Sequence, residues 1–119
     1  MDNYKIAIAS SDGIVVNQHF GHADKFLIYE VQNDGNYNFI EIRNVKPVCD
    51  YGNHDDNRLT ENLDKINDCK YLLVSKIGIG ASLRAEHSGI IPIELPDMIE
   101  NSVRKVISLE QIQNLFERI

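Results

Sequence analysis

The chain has 119 residues, of which 43% are apolar and 25% are charged, which suits a single globular domain over residues 1–119 that buries a core without disulfides or metal. Acidic side chains outnumber basic ones by 18 to 12, for a formal net charge of −6, and without a basic cluster we expect no nucleic-acid partner, because phosphate binding depends on Lys and Arg. No apolar run approaches the roughly 20 residues of a membrane helix and no charged-then-apolar leader opens the chain, so we expect a cytoplasmic protein that does not enter a membrane.

Three strands are predicted in the first half of the chain. The run YKIAIAS (residues 4–10) is short and apolar, and Ser-Asp-Gly follows it, which is typical of a buried strand and its turn. The runs FLIYEV (26–31) and YNFIEIRNV (37–45) flank an Asp-Gly turn, so the two should form a β-hairpin.

The second strand of this hairpin has a regular alternation. Its pattern places Phe39, Glu41 and Arg43 on one face and Ile40 and Ile42 on the other, because successive side chains of a strand point to opposite faces. One face of this strand is therefore expected to meet solvent.

After Pro47 a polar loop leads into five further elements. They are predicted as a helix, a strand, a helix, a strand and a C-terminal helix, over residues 58–68, 71–78, 79–89, 90–95 and 99–116. We expect Asp56 or Asn57 to cap the first of these helices. Ser108 with Gln111 three residues later forms a capping box, so the C-terminal helix should divide into two helices there.

This order of elements, β-β-β-α-β-α-β-α, predicts one mixed sheet with helices on its faces. The simplest arrangement is a five-stranded sheet of order 3-2-1-4-5, with strand 2 antiparallel to the rest. We therefore expect an α/β, three-layer fold of the ribonuclease H-like kind.

Four side chains that can bind metal lie on loops that this topology brings to one edge of the sheet. His19 and His22 follow strand 1, whereas Cys49 and His54 follow strand 3. Strands 1, 3 and 4 run in the same direction, so the loops that leave them emerge at the edge where open α/β sheets bind ligands. We therefore expect three imidazoles and one thiolate near a single crevice.

A glycine-containing turn, KIGIGA (residues 76–81), follows strand 4 at the same edge. The turn leads into a helix N-terminus, where free N–H groups can hold an anion, and it contains Gly78 and Gly80. Tight packing of the turn against the sheet explains the two glycines about as well.

The chemistry of these side chains indicates a metal or a cluster. Imidazole and thiolate together suit iron–sulfur clusters and zinc, so His19 and Cys49 are candidate metal ligands, with His22 and His54 beside them. The alternative is that the histidines are ordinary polar loop residues. Cys69 at the start of strand 4 is expected to be a core residue at the opposite edge, too far from Cys49 for a disulfide.

In four segments the chain resembles the dinitrogenase iron–molybdenum cofactor biosynthesis family: KIAIASSDGIVVNQHFGHADKFLIYEV, CDYGNHDD, DCKYLLVSKIGIGASL and SGIIPIEL. The resemblance runs from Lys5 to about Val106. This family includes NifX-like accessory proteins and a similar domain at the carboxyl end of the NifB cofactor-assembly enzyme. Its most specific part here is HFG-A--F-IYEV followed by DC--LLV--IG-GA.

The resemblance implies a ribonuclease H-like fold and a non-catalytic carrier of an iron–sulfur cluster or an iron–molybdenum cofactor precursor. Carried over residue by residue, it points to His19, Cys49, Gly78 and Gly80. It further implies metallocofactor donor and acceptor proteins as partners, and we expect a monomer or a weak dimer.

Other classes of function remain as alternatives. A ribonuclease H-like nuclease gathers several carboxylates around Mg²⁺, but the runs KIAIAS and YLLVSKIG contain none, so we do not expect an enzyme. The remaining alternatives are a module that binds a small anion or phosphate at the glycine turn and a protein-interaction domain without metal.

The loop over residues 48–57 is rich in Asp, Asn and Gly and has almost no apolar anchor. Little buried area offsets the entropy of ordering it, so we expect it to be the most mobile part of the chain without ligand. The stretch from His19 to Phe26 should be better ordered. Cys49 is then expected to lie too far from His19 to share a ligand until cargo binds.

Overall fold

A computed structural model describes residues 3–50 and 53–117, with only the backbone of Asp50, Asn53 and His54. The elements follow in chain order: strands β1 (Tyr4–Ile8), β2 (Lys25–Val31), β3 (Tyr37–Asn44), β4 (Cys49–Asp50) and β5 (Asn53–His54), helix α1 (Asp56–Asp64), strand β6 (Tyr71–Val74), helix α2 (Ile79–His87), strand β7 (Ile91–Glu94) and helix α3 (Ile99–Glu117). Among the helices of the described ranges, none has the length and apolar character needed to cross a membrane.

Five of the strands form one mixed sheet in the order β3-β2-β1-β6-β7. Strand β2 runs antiparallel to β1 and to β3, whereas β6 is parallel to both β1 and β7. In the numbering of the predicted strands this is the order 3-2-1-4-5 with strand 2 antiparallel. The predicted α/β fold is therefore confirmed.

Alternate residues of the central strand β1 belong to two separate cores, one on each face of the sheet. Ala7 is buried in a cluster that includes Leu63 of α1 and Ala85 of α2. Ile6 is buried in a second cluster, which includes Val103 of α3. The sheet thus lies between a layer of two helices and a layer of one helix, as the period-2 pattern of β1 requires.

The loop that follows β1 is drawn toward the chain that follows β6. The backbone N–H of Ser75 donates to the carbonyl of Gln18 at 3.0 Å, and the N–H of Phe20 donates to the carbonyl of Lys76 at 2.9 Å. Strand β6 therefore ends at Val74 rather than at residue 78 as predicted, because the next residues bond to this loop and leave the sheet.

A β-bulge overturns the predicted faces of β3. Tyr29 pairs with Phe39 and Leu27 pairs with Ile42, with a shift of register between them. Ile40 is the extra residue, so Phe39 lies on the same face as Ile42 and not with Glu41 as the simple alternation predicted. Both faces of β3 meet solvent, rather than one.

Two predictions about helix ends were also wrong. The carboxylate of Asp55, rather than that of Asp56 or the amide of Asn57, caps α1, because it accepts the backbone N–H of residues 57 and 58. Helix α3 continues through Ser108 without a break. The buried Glu110 explains this continuity, since its carboxylate accepts from the Tyr71 hydroxyl at 2.6 Å and holds the second half of the helix on the sheet.

Candidate functional site

A cavity of about 400 Å³ opens at the carboxyl-end edge of β1 and β6. Three segments line it: residues 19–22, the pair Val48 and Cys49, and residues 76–81 apart from Ile79. These segments belong to the three loops that the topology was expected to bring together. The cavity therefore lies where open α/β sheets bind ligands.

His19 and His22 reach this cavity from a single turn of 3₁₀ helix, Phe20–His22. Phe20 anchors the turn, because its side chain is fully buried and its ring stacks on Phe26 with centroids 5.9 Å apart. The two imidazole rings on either side of this anchor lie with their centroids 5.8 Å apart. Both rings can therefore approach one ligand from the same wall.

Cys49 lines the same cavity, directly against the backbone of Gly21. A Cβ atom added to Gly21 would lie 2.7 Å from the Cys49 sulfur, so only glycine allows the thiol this position. Cys49 and His19 therefore line one cavity, and whether they share a ligand stays a prediction. Gly21 was missed in the sequence, although it stands inside the HFGH element.

The segment around Cys49 is not the irregular loop that was predicted. Strands β4 and β5 form a two-stranded antiparallel ribbon in which Cys49 pairs with His54. The backbone of His54 thus lies opposite the thiol-bearing residue, whereas its side chain lies outside the described part of the chain, as do residues 51 and 52. The expected mobility of residues 48–57 stays a prediction.

Gly78 and Gly80 line the opposite wall, at the N-terminus of α2. A Cβ atom at either position would meet no heavy atom within 4 Å, so tight packing of the turn is not the reason for these glycines. Gly78 caps α2 without a side-chain hydrogen bond and has an ordinary extended φ of −69°. The two glycines therefore leave open space beside the first turn of α2.

Lys76 adds a cation to this wall, and sequence reasoning missed it. Its carbonyl accepts from Phe20, and its backbone pairs with that of His19 in an isolated parallel bridge. Lys76 is the first residue of the KIGIGA turn, so a basic residue at this place could have been noted from the sequence. None of the described residues that line the cavity is an Asp or a Glu, but the Glu94 carboxylate accepts the backbone N–H of the lining residue Ile77 at 2.9 Å.

The described side chains around the cavity provide fewer ligands than a resident metal ion requires. Within residues 3–50 and 53–117, no three His, Cys, Asp or Glu side chains are placed to hold one metal ion. Structural zinc requires four such ligands, so the described side chains do not complete a zinc site. Iron–sulfur clusters are commonly held by four thiolate or imidazole ligands, so the described residues supply only part of such a ligand set.

Cys69 and His87 lie away from the cavity. Cys69 precedes β6 at the opposite edge and is 3% exposed, and its thiol forms no disulfide with Cys49. Burial raises the pKa of the Cys69 thiol to about 12, so it remains protonated at neutral pH. His87 is the last residue of α2, where an imidazolium complements the helix dipole.

These features define a small α/β domain with one His- and Cys-lined cavity at its sheet edge. The chain belongs to the dinitrogenase iron-molybdenum cofactor family, whose model matches residues 2–109. The predicted resemblance is therefore confirmed over nearly the whole chain.

Curated relatives carry the names NifB and NifX. The chain is 36% identical over 104 residues to the FeMo cofactor biosynthesis protein NifB of Frankia alni, which covers 85% of this chain and 20% of the relative. It is 33% identical over 103 residues to Protein NifX of Sinorhizobium fredii, covering 82% of this chain and 64% of the relative. The chain thus spans about a fifth of the length of the NifB relatives it matches.

Solved structures share the fold at low sequence identity. PH0822 superposes with a TM-score of 0.61 at 20% identity, covering 87% of this chain and 90% of that chain. A protein from Methanocaldococcus jannaschii superposes with a TM-score of 0.58 at 16% identity, covering 92% of this chain and 93% of that chain. These likenesses concern the fold alone.

Proposed function

We propose that this chain binds and carries an iron–sulfur or iron–molybdenum-type cofactor, or a precursor of it, without turning it over. The observation that carries the proposal is the cavity that brings His19, His22 and Cys49 together in a member of the iron-molybdenum cofactor family. The coarser link to this cofactor's biosynthesis follows from the family itself.

His19 and Cys49 are the proposed ligands of the cargo, with His22 and the loop residue His54 as further candidates. Neutral imidazole and thiolate both bind iron in clusters. A carrier must release what it holds, so one or two protein ligands in an open cavity serve it better than a closed four-ligand cage. The ring spacing of 5.8 Å between the histidines permits both to contact a cargo that is several ångströms wide.

Gly78 and Gly80 are proposed to receive the anionic side of the cargo. Iron–sulfur clusters with thiolate and sulfide ligands carry negative charge, and backbone N–H groups at a helix N-terminus favour anions. Because a Cβ at either glycine would meet nothing in the protein itself, the space they leave is available to a ligand. Lys76 at the same wall adds a full positive charge.

The side chains around the cavity do not favour metal-dependent hydrolysis. Two-metal hydrolysis uses carboxylates that hold the metal ions near the reacting atoms. The described lining of the cavity contains imidazoles, a thiol and an ammonium but no carboxylate. We therefore propose binding and delivery, with donor and acceptor proteins in the cytoplasm as the partners.

A second candidate is a module that binds a small anion such as phosphate. The N-terminus of α2, where Gly78 provides no side-chain cap, and the neighbouring Lys76 favour this alternative, because neither feature requires a metal. The Glu94 carboxylate, which accepts the N–H of Ile77 at 2.9 Å, disfavours it. It differs from the first in leaving Cys49 and the two histidines without a role. A protein-interaction domain that binds no ligand would leave the whole cavity without a role.

Anaerobic reconstitution with iron and sulfide distinguishes these candidates. We expect iron to stay with the protein through gel filtration and to give charge-transfer absorption. His19→Ala and Cys49→Ala should lose both signals, whereas the matched control His87→Ala, at the far end of α2, should keep them. Binding of inorganic phosphate without retention of iron would favour the anion module. If the chain binds neither phosphate nor iron, an interaction domain is favoured.

A further inference from the structure

The segment that joins β6 to α2 is held by hydrogen bonds from two neighbouring parts of the chain. Residues 75 and 76 bond through their backbone to the loop that follows β1. The next residue, Ile77, donates its backbone N–H to the Glu94 carboxylate at 2.9 Å. The side chain of Glu94 therefore ties the KIGIGA turn to strand β7.

The backbone of Glu94 is fixed by the sheet. Glu94 is the last residue of β7, and it pairs with Val74, the last residue of β6. The N–H of the following residue, Leu95, donates to the Val74 carbonyl at 2.9 Å. Only the side chain of Glu94, which is an exposed residue, must therefore become ordered to hold the N–H of Ile77.

The first residues of the KIGIGA turn that follow Lys76 have little packing of their own. Gly78 and Gly80 are exposed, and the side chain of Ile79 is 82% exposed. Of residues 77–80, Ile77 is the one that packs against the buried core. A hydrogen bond to a charged acceptor contributes more than one between neutral groups. The bond to Glu94 therefore adds to the packing of Ile77 in setting the position of the turn.

The Glu94 carboxylate lies beside the candidate site without lining it. A second cavity of about 420 Å³ is lined by Glu94 and by Ile77, and Ile77 also lines the candidate site. The carboxylate therefore acts on the site through the turn and through its charge rather than by contact with cargo. That charge opposes the attraction that Lys76 and the N-terminus of α2 exert on an anion.

We propose that Glu94 is a positioning residue of the candidate site, which holds the KIGIGA turn in place while its negative charge weakens the retention of an anionic cargo. The inference rests on the proposed function. A carrier must release its cargo, so a cavity wall that is well ordered but not fully cationic serves it. The two roles are separable, because the amide oxygen of a glutamine can accept the Ile77 N–H but carries no charge.

Glu94→Gln and Glu94→Ala separate the two roles in an anaerobic titration with a thiolate-ligated iron–sulfur cluster, which is anionic. Glu94→Gln keeps an acceptor for Ile77 and should bind the cluster about two- to fivefold more tightly than the wild type at low ionic strength. This difference should shrink as salt screens the charge. Glu94→Ala also loses the acceptor and should bind at least about twofold more weakly than Glu94→Gln at every salt concentration. The control Glu86→Gln, which removes the same charge from an exposed position in the last turn of α2, should bind like the wild type.

Hydrogen exchange of the Ile77 amide tests the positioning without cargo. We expect this amide to exchange several-fold faster in Glu94→Ala than in the wild type, because the N–H has lost its acceptor, and Glu94→Gln should restore most of the protection. Equal exchange of Ile77 in the wild type and both variants, or equal cluster affinity of the wild type and Glu94→Gln at low salt, would overturn the proposal. If no chain binds the cluster, the proposed function is overturned and with it the role of the charge, whereas the exchange of Ile77 still decides whether Glu94 holds the turn.

Discussion

At the scale of single residues, the contact between Gly21 and Cys49 decides how the site is assembled. The thiol occupies the volume that a Cβ on residue 21 would fill, at 2.7 Å. The turn that carries His19 and His22 is in this way packed against the ribbon that carries Cys49. The absence of a side chain at Gly21 thus allows the two parts of the candidate site to meet.

The two cysteines should differ in reactivity. Cys49 lies in the open cavity, whereas Cys69 is buried and has a raised pKa of about 12 because of that burial. Since the thiolate is the reactive form, we expect one thiol per native chain to react with a thiol reagent at pH 8. The second should react only after unfolding.

Cys49→Ser is the matched variant for this measurement, and it should remove the reaction of the native chain. Cys69→Ser should leave it in place. Modification of both thiols at the same rate in the folded protein would mean that the burial of Cys69 or the opening at Cys49 is wrong.

Gly80→Ala separates stability from binding. Alanine has the higher helix propensity, and nothing in the protein lies within 4 Å of the added Cβ, so the free energy of unfolding should rise by about 0.5 kcal/mol. Because Gly80 lines the cavity, the same methyl group should weaken cargo binding. Urea unfolding and an anaerobic binding titration measure the two effects.

The control for Gly80→Ala is Glu86→Ala, which changes an exposed residue later in the same helix. We expect Glu86→Ala to leave cargo binding unchanged. Unchanged binding by Gly80→Ala as well would contradict a role for the bare backbone at this wall.

Some residues of the candidate site could be predicted from the sequence and others could not. His19, His22 and Cys49 could be placed at one edge because their loops follow strands of the same direction, and the structure brings these residues to one cavity. Gly21 was missed because its contact with a thiol from a distant loop leaves no local pattern. Lys76 was missed although it is the first residue of the KIGIGA segment. The sequence could not decide whether Gly78 and Gly80 are required for tight packing. The structure decides it, because no heavy atom lies within 4 Å of a Cβ added at either position.

At the scale of elements, local patterns failed where distant contacts decided the outcome. The alternation of β3 could not reveal its bulge, which depends on the register with β2. The capping box at Ser108 predicted a helix end, but Glu110 bonds to Tyr71 and to Lys70 at 2.7 Å and the helix continues. Sheet order was predictable, since it follows from element order and chain handedness.

A charged cluster ties β3 to the turn after α1. The Asp68 carboxylate accepts from Arg43 at 2.6 Å and from Lys5 at 3.2 Å. The hydrogen bond from Arg43 is the largest cause that holds the pKa of Asp68 well below its ordinary value. A carboxyl with a lowered pKa stabilises the fold above its unfolded pKa of about 3.9 and loses that contribution as pH falls.

Asp68→Asn should therefore lower the free energy of unfolding at pH 7 by about 1 kcal/mol, a modest amount because the Asp68 side chain is 41% exposed and solvent screens it. The difference from wild type should shrink as pH falls below about 4. Urea unfolding between pH 2.5 and 7 measures it. A difference that stays constant over this range would contradict the ion pair.

At the scale of the whole molecule, the net charge and the cavity oppose each other. The chain carries a formal net charge of −6, which repels an anionic cargo at long range. Lys76 lies at the cavity wall, where its charge acts at short range. Cargo binding should therefore depend on a local cation within an acidic protein.

Lys76→Gln should weaken the binding of an anionic cluster several-fold at low ionic strength, and the difference should shrink as salt screens the charge. Lys25→Gln, on β2 outside the cavity lining, is the control and should have a small effect. An anaerobic titration at two salt concentrations measures both. Equal effects of the two substitutions would leave only the net charge as the cause.

The central claim is that the His- and Cys-lined cavity holds a metallocofactor. An anaerobic titration of the wild-type chain with isolated iron–molybdenum cofactor, followed by the absorption of the bound cofactor, tests it most directly. We predict saturation at one cofactor per chain, with affinity reduced at least about tenfold, or 1.4 kcal/mol, in His19→Ala and in Cys49→Ala. Wild-type affinity in both variants, or no saturable binding by the wild-type chain, would contradict the account.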